Sequence, residues 1–279
     1  MELKKIRQSI PQKEIEAIDK YIANDPQLSK LNPDTAYKYI MLLQVVNERL
    51  NPTFSGYYPI IKAGAQYWEI MYAATPAQRQ KELREKNIAI KGEDSRDYNA
   101  SLEKFDLSTL NRKAAKKYAM DIINIMEHNK NADNEHKRVL GLYIHSSAFQ
   151  IGKTYLANAI TNALADLEFT GIFVFAPSLA AQAKEFKELE KLIKELKQTQ
   201  VLVLDDLGAE YRSEWFRIEI LMPVLQNRLT NNKLTIITSN YSILKLSNLY
   251  KQQNNSNPID TDRLISRIME LCREIELDE

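Results

Sequence analysis

The sequence predicts an α/β fold, in which a parallel sheet is flanked by helices and preceded by a small, mostly helical N-terminal domain that contains a β-hairpin. From residue 139 onward, short apolar runs alternate with helical stretches. The triplet Gly152-Lys153-Thr154 follows the first of these runs, and the acidic pair Asp205-Asp206 follows the third. Alternating strands and helices form a parallel sheet covered on both faces, and ligands bind such sheets at the carboxyl ends of their strands.

The N-terminal part of the chain combines helical segments with a predicted hairpin. Residues 1–50 show apolar residues at helical spacing, and Pro33 marks the first turn of a helix. Two runs rich in aromatic and β-branched residues, 57–62 and 66–72, then predict a hairpin. Aromatic residues of this kind either stack on nucleic acid or fill the core of a small domain. We expect a core, made by Tyr58, Ile60, Tyr67, Trp68, Ile70 and Tyr72.

The domain boundaries follow from a change of composition after the hairpin. A helix opens at Pro76, and the segment after this helix is polar without a clear period. We therefore predict an N-terminal domain over residues 1–88, a linker over residues 89–107 and a larger domain over residues 108–279. Asn111 is expected to cap the first helix of the larger domain.

The larger domain shows the alternation of strand and helix that a parallel sheet requires. Each predicted strand is short and apolar on both faces, as expected of a strand buried between two layers of helices. The predicted strands are residues 139–144, 171–176, 201–205 and 234–238, with a further one at 273–277. A helix is also predicted over residues 213–230, where Pro223 should kink or break it.

The loop after the first strand has the sequence of a phosphate-binding loop. The pattern G-x-x-x-x-G-K-[ST] is matched at residues 147–154, except that Ser147 replaces the first glycine. The following helix offers unpaired N–H groups and the positive end of its dipole to an anion. Lys153 would reach the β- and γ-phosphates, and Thr154 would hold Mg²⁺. The predicted nucleotide-binding residues are Ser147, Gln150, Ile151, Gly152, Lys153 and Thr154.

The third and fourth strands end in side chains that suit phosphate chemistry. Asp205 and Asp206 form a Walker B pattern, in which Asp205 would bind Mg²⁺ and Asp206 would orient or deprotonate the attacking water. Glu210 is a second candidate for assisting that water. Asn240, at the tip of the fourth strand, would contact the γ-phosphate or its water as a sensor, although Asn is also common in turns.

A pair of arginines near the end of the chain is a candidate for phosphate contact from outside the subunit. Arg263 and Arg267 are four residues apart and therefore share one helical face. Such a face is either a solvated surface or, in a P-loop ATPase, an arginine finger.

The composition of the chain limits the possible classes of function. The 279 residues suffice for one large domain or two smaller ones, and a net charge of +1 gives no overall basic field for nucleic acid. The single cysteine, Cys272, excludes an intramolecular disulfide and a multi-cysteine zinc site. No run reaches the length of a membrane span and no signal peptide is recognised, so we expect a cytoplasmic protein with no membrane contact.

These motifs, in this order, resemble the AAA+ domain of bacterial helicase loaders of the DnaI/DnaC type. The segment 204–210, Leu-Asp-Asp-Leu-Gly-Ala-Glu, is similar to the DnaI members in particular. Thr238-Ser239-Asn240, the arginine pair and the segment that begins at Gly56 extend the resemblance over nearly the whole chain. The chain departs from the family in three ways, one of which is Pro223 within the predicted helix over residues 213–230. Ser147 and Gln150 stand where glycines are usual, and the N-terminal domain lacks the cysteines of the family's zinc site, so we expect it to fold without metal.

The resemblance implies an AAA+ P-loop ATPase with slow, Mg²⁺-dependent hydrolysis of ATP. It implies a primosome protein that loads the hexameric replicative DNA helicase onto DNA during replication initiation, contacts the helicase through its N-terminal domain and self-associates on it. Arg267 would then be the finger, supported by Arg263. Lys184 and Lys187 lie on the polar side of a predicted helix and either form a solvated face or make a weak contact to single-stranded DNA.

Two other functions remain open from the sequence. A transposition helper of the IstB type shares this ATPase domain and would contact a transposase, although the N-terminal hairpin domain argues against it. A non-hydrolysing AAA+ adaptor would keep the fold without turnover, as the altered phosphate-binding loop suggests.

Overall fold

A computed structural model of the protein describes residues 3–64, 67–92, 95–132, 136–182, 189–210, 214–253 and 257–277. The chain divides into two compact units, Met1–Gln80 and Lys81–Glu279. Among the described helices, none combines the length and the apolar character that crossing a lipid bilayer requires.

The first unit contains helices and an antiparallel hairpin. Its elements are α1 (Leu3–Gln8), α2 (Gln12–Asn24), a 3₁₀ turn (Leu28–Lys30), α3 (Ala36–Leu50), β1 (Tyr57–Ala63) and β2 (Trp68–Ala74), and α4 (Pro76–Asn87) follows. β1 and β2 pair antiparallel from Tyr57 opposite Ala74 to Ala63 opposite Trp68, which confirms the hairpin. α3 begins later than Pro33, because the Thr35 hydroxyl accepts the Lys38 N–H at 3.3 Å and caps the helix there.

The core of this unit differs from the predicted one. Ile61 and Trp68 are buried, whereas Ile60 is half-buried and Tyr67 is 72% exposed. The buried cluster consists of Leu28, Met41, Leu42, Val45, Val46, Ile61 and Trp68. Successive side chains of a strand point to opposite faces, and β1 carries apolar residues on both. A sequence pattern of that kind does not show which face points inward. The predicted contribution of Ile60, Tyr67 and Tyr72 to the core is therefore wrong.

The second unit alternates strands and helices. Its elements are β3 (Ile88–Lys91), α5 (Leu110–Asn131), β4 (Gly141–His145), α6 (Lys153–Asp166), β5 (Gly171–Phe175), α7 (Ala176–Gln182), α8 (Leu189–Gln198), β6 (Val201–Asp205), a π-helical segment (Phe216–Leu221), α9 (Met222–Thr230), β7 (Leu234–Ser239), α10 (Ile243–Lys251), α11 (Pro258–Leu271) and β8 (Cys272–Glu276).

The strands form one parallel sheet with helices on both faces, which confirms the predicted fold class. Over the described residues the sheet has six strands in the order β3-β5-β6-β7-β4-β8. One face packs on α5 and α6, and the other packs on α8 to α11. β4, β6 and β7 are buried along their whole length, which is why they are continuous apolar runs in the sequence. β8 is the further strand predicted at residues 273–277.

The segment predicted as a linker is part of the second unit. Its first residues form β3, which pairs in parallel with β5 from Ile88 opposite Gly171 to Lys91 opposite Val174. Further along, Ala100 and Phe105 are buried. The sequence of residues 89–107 is polar overall, but β3, Ala100 and Phe105 belong to the fold of the second unit, so the assignment of a linker is corrected.

Pro223 interrupts its helix by means of a π-helical segment. Phe216–Leu221 is π-helical, and α9 starts at Met222 with Pro223 in its first turn. A proline ring collides with the carbonyl group four residues earlier in a regular α-helix. The wider π-helical turn before it removes that collision, so the predicted interruption is confirmed.

Thr109 caps α5, not Asn111. The Thr109 hydroxyl accepts the Arg112 N–H at 3.2 Å, and the helix begins at Leu110. Threonine and asparagine are both common caps, and the two candidates are two positions apart, so local sequence alone did not decide between them.

A buried arginine lies at the amino ends of the central strands. Arg228 of α9 is 0% exposed and donates to the carbonyl oxygens of Leu196, Thr199, Gln200 and Leu234 and to the Thr235 hydroxyl. Burial lowers the pKa of Arg228 to about 9. Cys272 is also buried nearby, and its Sγ donates to the Thr235 carbonyl oxygen at 3.4 Å.

Candidate nucleotide-binding site

The loop between β4 and α6 has the backbone conformation of a phosphate-binding loop. Gly152 precedes α6 with φ +92°, and Gln150 also has a positive φ, of 59°. Glycine adopts this region without penalty, whereas Gln150 adopts it at a conformational cost and must be held by its surroundings. A side-chain carbon added at Gly152 would meet no atom closer than 3.9 Å, so the loop is open on that side.

Lys153 turns its ammonium group into this loop. Its Nζ donates to the carbonyl oxygens of Ser146 at 3.2 Å and Ala148 at 3.0 Å. Burial lowers the pKa of Lys153, and the charges of Asp206 and Asp205 oppose that shift. The ammonium group therefore lies within the loop that would surround a phosphate group, and it can exchange two carbonyl oxygens for phosphate oxygens.

Asp205, at the carboxyl end of β6, accepts three hydroxyl groups. Thr154 Oγ1 donates to its Oδ1 at 2.9 Å, and Thr238 Oγ1 donates to the same atom at 2.7 Å. Ser95 Oγ donates to Oδ2 at 3.1 Å. Burial raises the pKa of Asp205, and these three hydrogen bonds oppose the shift because they stabilise the anion.

Asp206 and Asn240 lie together at the carboxyl ends of the neighbouring strands β6 and β7. Asn240 Nδ2 donates to Asp206 Oδ1 at 3.0 Å, and the Asp206 N–H donates to Thr238 Oγ1 at 2.9 Å. Burial raises the pKa of Asp206, and the neighbouring charge of Asp205 raises it further. Asp206 is thus a stronger base than an exposed aspartate, which suits it to accept a proton.

Glu210, the second candidate base, is committed elsewhere. Glu210 is 3% exposed. Its carboxylate accepts hydrogen bonds from the Gly208 N–H at 2.7 Å and from the Tyr250 hydroxyl group. The Arg217 guanidinium lies 4.3 Å from the Tyr250 ring centroid. Both carboxylate oxygens therefore have donors within this cluster, and Glu210 is not placed to assist at Asp206.

The predicted arginines lie on α11 and contact surface groups. Arg263 pairs with Asp260 at 3.2 Å, and its side chain is 66% exposed. Arg267 pairs with Glu270 at 3.0 Å and donates to Gln226, and its side chain is 31% exposed. In the described part of the chain, their side chains make no hydrogen bond or ion pair to the phosphate-loop or Walker B residues. Ser147 is exposed at the start of the loop and Ile151 is buried beneath it. Lys184 and Lys187 lie outside the described residues.

Sequence patterns missed four residues that hold the site. Arg112 is buried, and its Nη2 donates to the Ile151 carbonyl oxygen at 2.5 Å, so a side chain of α5 supports the altered loop. Ser95 and Arg96 reach the site from the segment taken as a linker. Asn158 offered a signal, since it is one of the polar residues of a helix whose other buried residues are mostly apolar.

The donor set fits a nucleoside triphosphate with Mg²⁺. Thr154 and Asp205 offer the hard oxygen ligands that Mg²⁺ prefers, and Lys153 offers a cation for phosphate. The start of α6 offers N–H groups beside a glycine with open space. Among the described residues, no group of three or more His, Cys, Asp or Glu side chains forms a metal cluster of its own.

Comparison with known proteins places the chain in a family. No protein-family model matches it. The replicative helicase loader DnaI of Bacillus subtilis strain 168 is 28% identical over 240 residues, which are 83% of this chain and 75% of that protein. A crystal structure of DnaI superimposes with a TM-score of 0.60 and 30% identity, over 72% of this chain and 97% of that one. The structure of a candidate primosome component from Streptococcus pyogenes serotype M3 superimposes with a TM-score of 0.57 and 26% identity. The match covers 72% of this chain and 97% of that one.

The fold and the site define an AAA+ protein with the nucleotide-binding fold of P-loop ATPases. Within that class, the chain belongs to the DnaI/DnaC family of helicase loaders.

Proposed function

We propose that this protein loads the hexameric replicative helicase onto DNA during replication initiation, in the cytoplasm, with binding and slow hydrolysis of ATP. The observation that carries the proposal is the convergence of Thr154, Thr238 and Ser95 on Asp205, with Asn240 on Asp206. This assembled site occurs in a chain 28% identical over 240 residues to a replicative helicase loader. Such an assembled site supports the proposal that the protein binds and hydrolyses a nucleotide.

The chain's own side chains divide the chemistry among them. Lys153 and the N–H groups at the start of α6 bind the phosphates, and Thr154 with Asp205 holds Mg²⁺. Mg²⁺ neutralises charge on the phosphate oxygens when it is bound. Asn240 fixes Asp206 by one oxygen, which leaves the other for the attacking water. Asp206 is one methylene shorter than glutamate, so the water is held less closely and hydrolysis is slow.

The proposal assigns Arg267 to a neighbouring subunit's nucleotide. Phosphoryl transfer builds charge on the γ-phosphate, and a guanidinium group stabilises it. The side chain of Arg267 is partly exposed and that of Arg263 is mostly exposed. Among the described residues, both pair with nearby surface groups of α9 and α11. Side-by-side association on the helicase would release these weak surface pairs and bring Arg267 to the adjacent site, with Arg263 supporting it.

The first unit supplies the surface for the helicase in this proposal. Its exposed large apolar side chains are Tyr37, Ile40, Leu50, Phe54, Tyr67, Met71 and Tyr72. Met71 and Ile60 are paired across the hairpin on its outer face. Apolar residues at this density on a small unit are typical of a protein-binding surface. Lys184 and Lys187 remain proposed contacts to single-stranded DNA.

The test is reconstitution with the replicative helicase from the same cells. Wild-type protein with ATP should bring the helicase onto circular single-stranded DNA, as measured by co-sedimentation and strand unwinding. Lys153→Ala should bind the helicase but load it poorly, and Met71→Glu with Tyr67→Ser should lose the helicase while still binding ATP. Capture of a transposase instead of the helicase would favour the IstB-type helper. Loading without measurable hydrolysis would favour an adaptor.

Mixing variants tests the assignment of the finger. Arg267→Ala should bind ATP normally and hydrolyse it poorly. A mixture of Arg267→Ala with Lys153→Ala should recover part of the activity, because one subunit supplies an intact pocket and the other an intact arginine. Loss of ATP binding by Arg267→Ala alone, in a monomer, would place the arginine on its own subunit's nucleotide instead.

A further inference from the structure

Residues 95–100 form a strap that is fixed along the phosphate-loop helix α6. Arg96 donates from Nη1 to Asn158 Oδ1 and from Nη2 to Asn162 Oδ1, each at 2.6 Å. Its guanidinium group lies 5.3 Å from the ring centroid of Phe173. One planar guanidinium group thus clamps two amides a helical turn apart, a geometry that lysine cannot reproduce.

The two amides return hydrogen bonds to the strap. Asn162 Nδ2 donates to the carbonyl oxygens of Asp97 and Ala100, both at 2.9 Å. Asn158 Nδ2 donates to the Ser95 carbonyl oxygen at 3.0 Å and to the Thr154 carbonyl oxygen at 3.0 Å. Buried amides are costly unless satisfied, and these two asparagines are each 1% exposed. The strap and the helix are therefore interdependent, and Asn158 joins Ser95 to Thr154.

The strap ends at the Walker B carboxylate. Ser95 Oγ donates to Asp205 Oδ2 at 3.1 Å, whereas Thr154 and Thr238 donate to Oδ1. Among the described residues, Ser95 is the side chain that donates a hydrogen bond to Oδ2. Asp205 is 2% exposed, so little space remains beside that oxygen.

A cation at this site must approach the oxygen that Ser95 holds. Mg²⁺ requires near-ideal octahedral geometry and usually keeps several of its waters. Thr154 could present its hydroxyl oxygen to the ion while its O–H still donates to Asp205 Oδ1. A water molecule of the hydrated ion would then need Oδ2 as its hydrogen-bond acceptor. The Ser95 hydroxyl group already donates to that oxygen.

We propose that Ser95 competes with hydrated Mg²⁺ for Asp205 Oδ2, so that Ser95 sets the Mg²⁺ requirement of nucleotide binding. The inference rests on the proposed function, because it concerns the same nucleotide site. Before nucleotide binds, Ser95 stabilises the buried carboxylate. When Mg²⁺ and nucleotide bind, the hydroxyl group leaves Oδ2, and the start of the strap is displaced from the site. Ser95 is therefore a positioning residue of the Mg²⁺ site.

Titration of Mg²⁺ against binding of a fluorescent ATP analogue tests this, with no dependence on hydrolysis. Ser95→Ala should lower the Mg²⁺ concentration for half-maximal binding by roughly ten- to hundredfold, since one hydrogen bond to a charged group no longer opposes the ion. Its affinity for the analogue in EDTA should equal that of wild type. Ser95→Thr keeps a hydroxyl group and should retain the wild-type requirement. Ser101→Ala removes the hydroxyl group of the residue that directly follows the strap. That group accepts the Lys104 N–H and does not contact Asp205, so this variant serves as the matched control.

Each result decides between outcomes. An unchanged or increased Mg²⁺ requirement in Ser95→Ala, with the analogue still bound, overturns the inference and leaves the proposed function intact. An equal shift in Ser101→Ala also overturns it, because the effect would then come from loosening the strap. Failure of the wild-type protein to bind the analogue at any Mg²⁺ concentration overturns the proposed nucleotide site, and this inference with it.

Discussion

The two ends of β6 each face a buried charge, and the two charges are held in different ways. At the carboxyl end, the Asp205 carboxylate accepts three side-chain hydroxyl groups. At the amino end, the Arg228 guanidinium group donates mainly to main-chain carbonyl oxygens. Burial favours the neutral form of each group. It therefore raises the pKa of Asp205 and lowers the pKa of Arg228. Hydroxyl groups can rotate and exchange partners, whereas main-chain carbonyl groups are fixed by the backbone. One end is therefore built to change ligands and the other to stay fixed.

The largest effect should come from the fixed end. Arg228→Met removes every donor from the carbonyl cluster and leaves its acceptors buried without partners. We expect the free energy of unfolding to fall by about 4 kcal/mol. Urea denaturation followed by circular dichroism measures it. Arg263→Met, at an exposed arginine, should change stability by less than about 0.5 kcal/mol. A loss below about 1 kcal/mol for Arg228→Met would mean that the cluster relaxes, and the contrast between the ends would fail.

The exchangeable end should show the opposite balance. Lys153→Ala removes a half-buried cation from the phosphate loop without opening a cavity in the core. Nucleotide affinity should fall by roughly 100-fold, or about 2.7 kcal/mol, while the free energy of unfolding changes by less than about 1 kcal/mol. Isothermal titration calorimetry and urea denaturation of the same preparation give the two numbers. Normal affinity in this variant would exclude the loop as the phosphate site.

Asp205→Asn should stabilise the protein and weaken its Mg²⁺-dependent binding. Burial raises the pKa of Asp205 in the folded protein. Ionising this side chain therefore costs more free energy in the folded protein than in the unfolded chain. That penalty is absent below the ordinary value of 3.8 and is complete once the pH exceeds the folded pKa. At neutral pH the variant should gain on the order of 1 kcal/mol, and the gain should shrink in acid. A less stable variant at neutral pH would show that the hydroxyl groups more than offset burial.

Two threonines of β7 allow the most detailed comparison of the two ends. The Thr235 hydroxyl group accepts a hydrogen bond from Arg228, and the Thr238 hydroxyl group donates one to Asp205. Both are buried, and valine has nearly the same shape. Thr235→Val should lower stability by about 0.5 to 1 kcal/mol and leave nucleotide binding unchanged. Thr238→Val should have a similar effect on stability but should also weaken nucleotide binding. Thermal melts with and without nucleotide separate the two effects, and equal nucleotide shifts for both variants would remove the distinction.

The sheet and the centre of the site could be predicted because their signals are local. Strands buried on both faces are uninterrupted apolar runs, and the residues that bind phosphate and Mg²⁺ follow these strands directly. β3 was missed because it has only the four residues Ile88–Lys91 and follows α4 without a turn. The inward face of the hairpin was missed because Pro59 and Ile61 alternate with the equally apolar Tyr58 and Ile60.

The supports of the site could not be predicted, since they join distant parts of the chain. Ser95 meets Asp205 across 110 positions, and Arg112 meets Ile151 across 39. Ser95 and Arg112 each lie in a polar stretch, where solvent exposure is the ordinary expectation. Only the folded sheet brings them to the loop, and no periodicity of the chain reports such a contact. The assignment of Glu210 failed for the same reason, because Tyr250 is 40 positions away.

The buried position of Cys272 makes the natural chain convenient for spectroscopy. It is the one cysteine of the sequence, it is 3% exposed, and burial raises the pKa of its thiol, so little thiolate forms at neutral pH. Maleimide reagents attack thiolates that they can reach. A cysteine introduced at an exposed position, such as Asn99 in the strap, should therefore take a fluorophore selectively in the native protein, with Cys272 left in place.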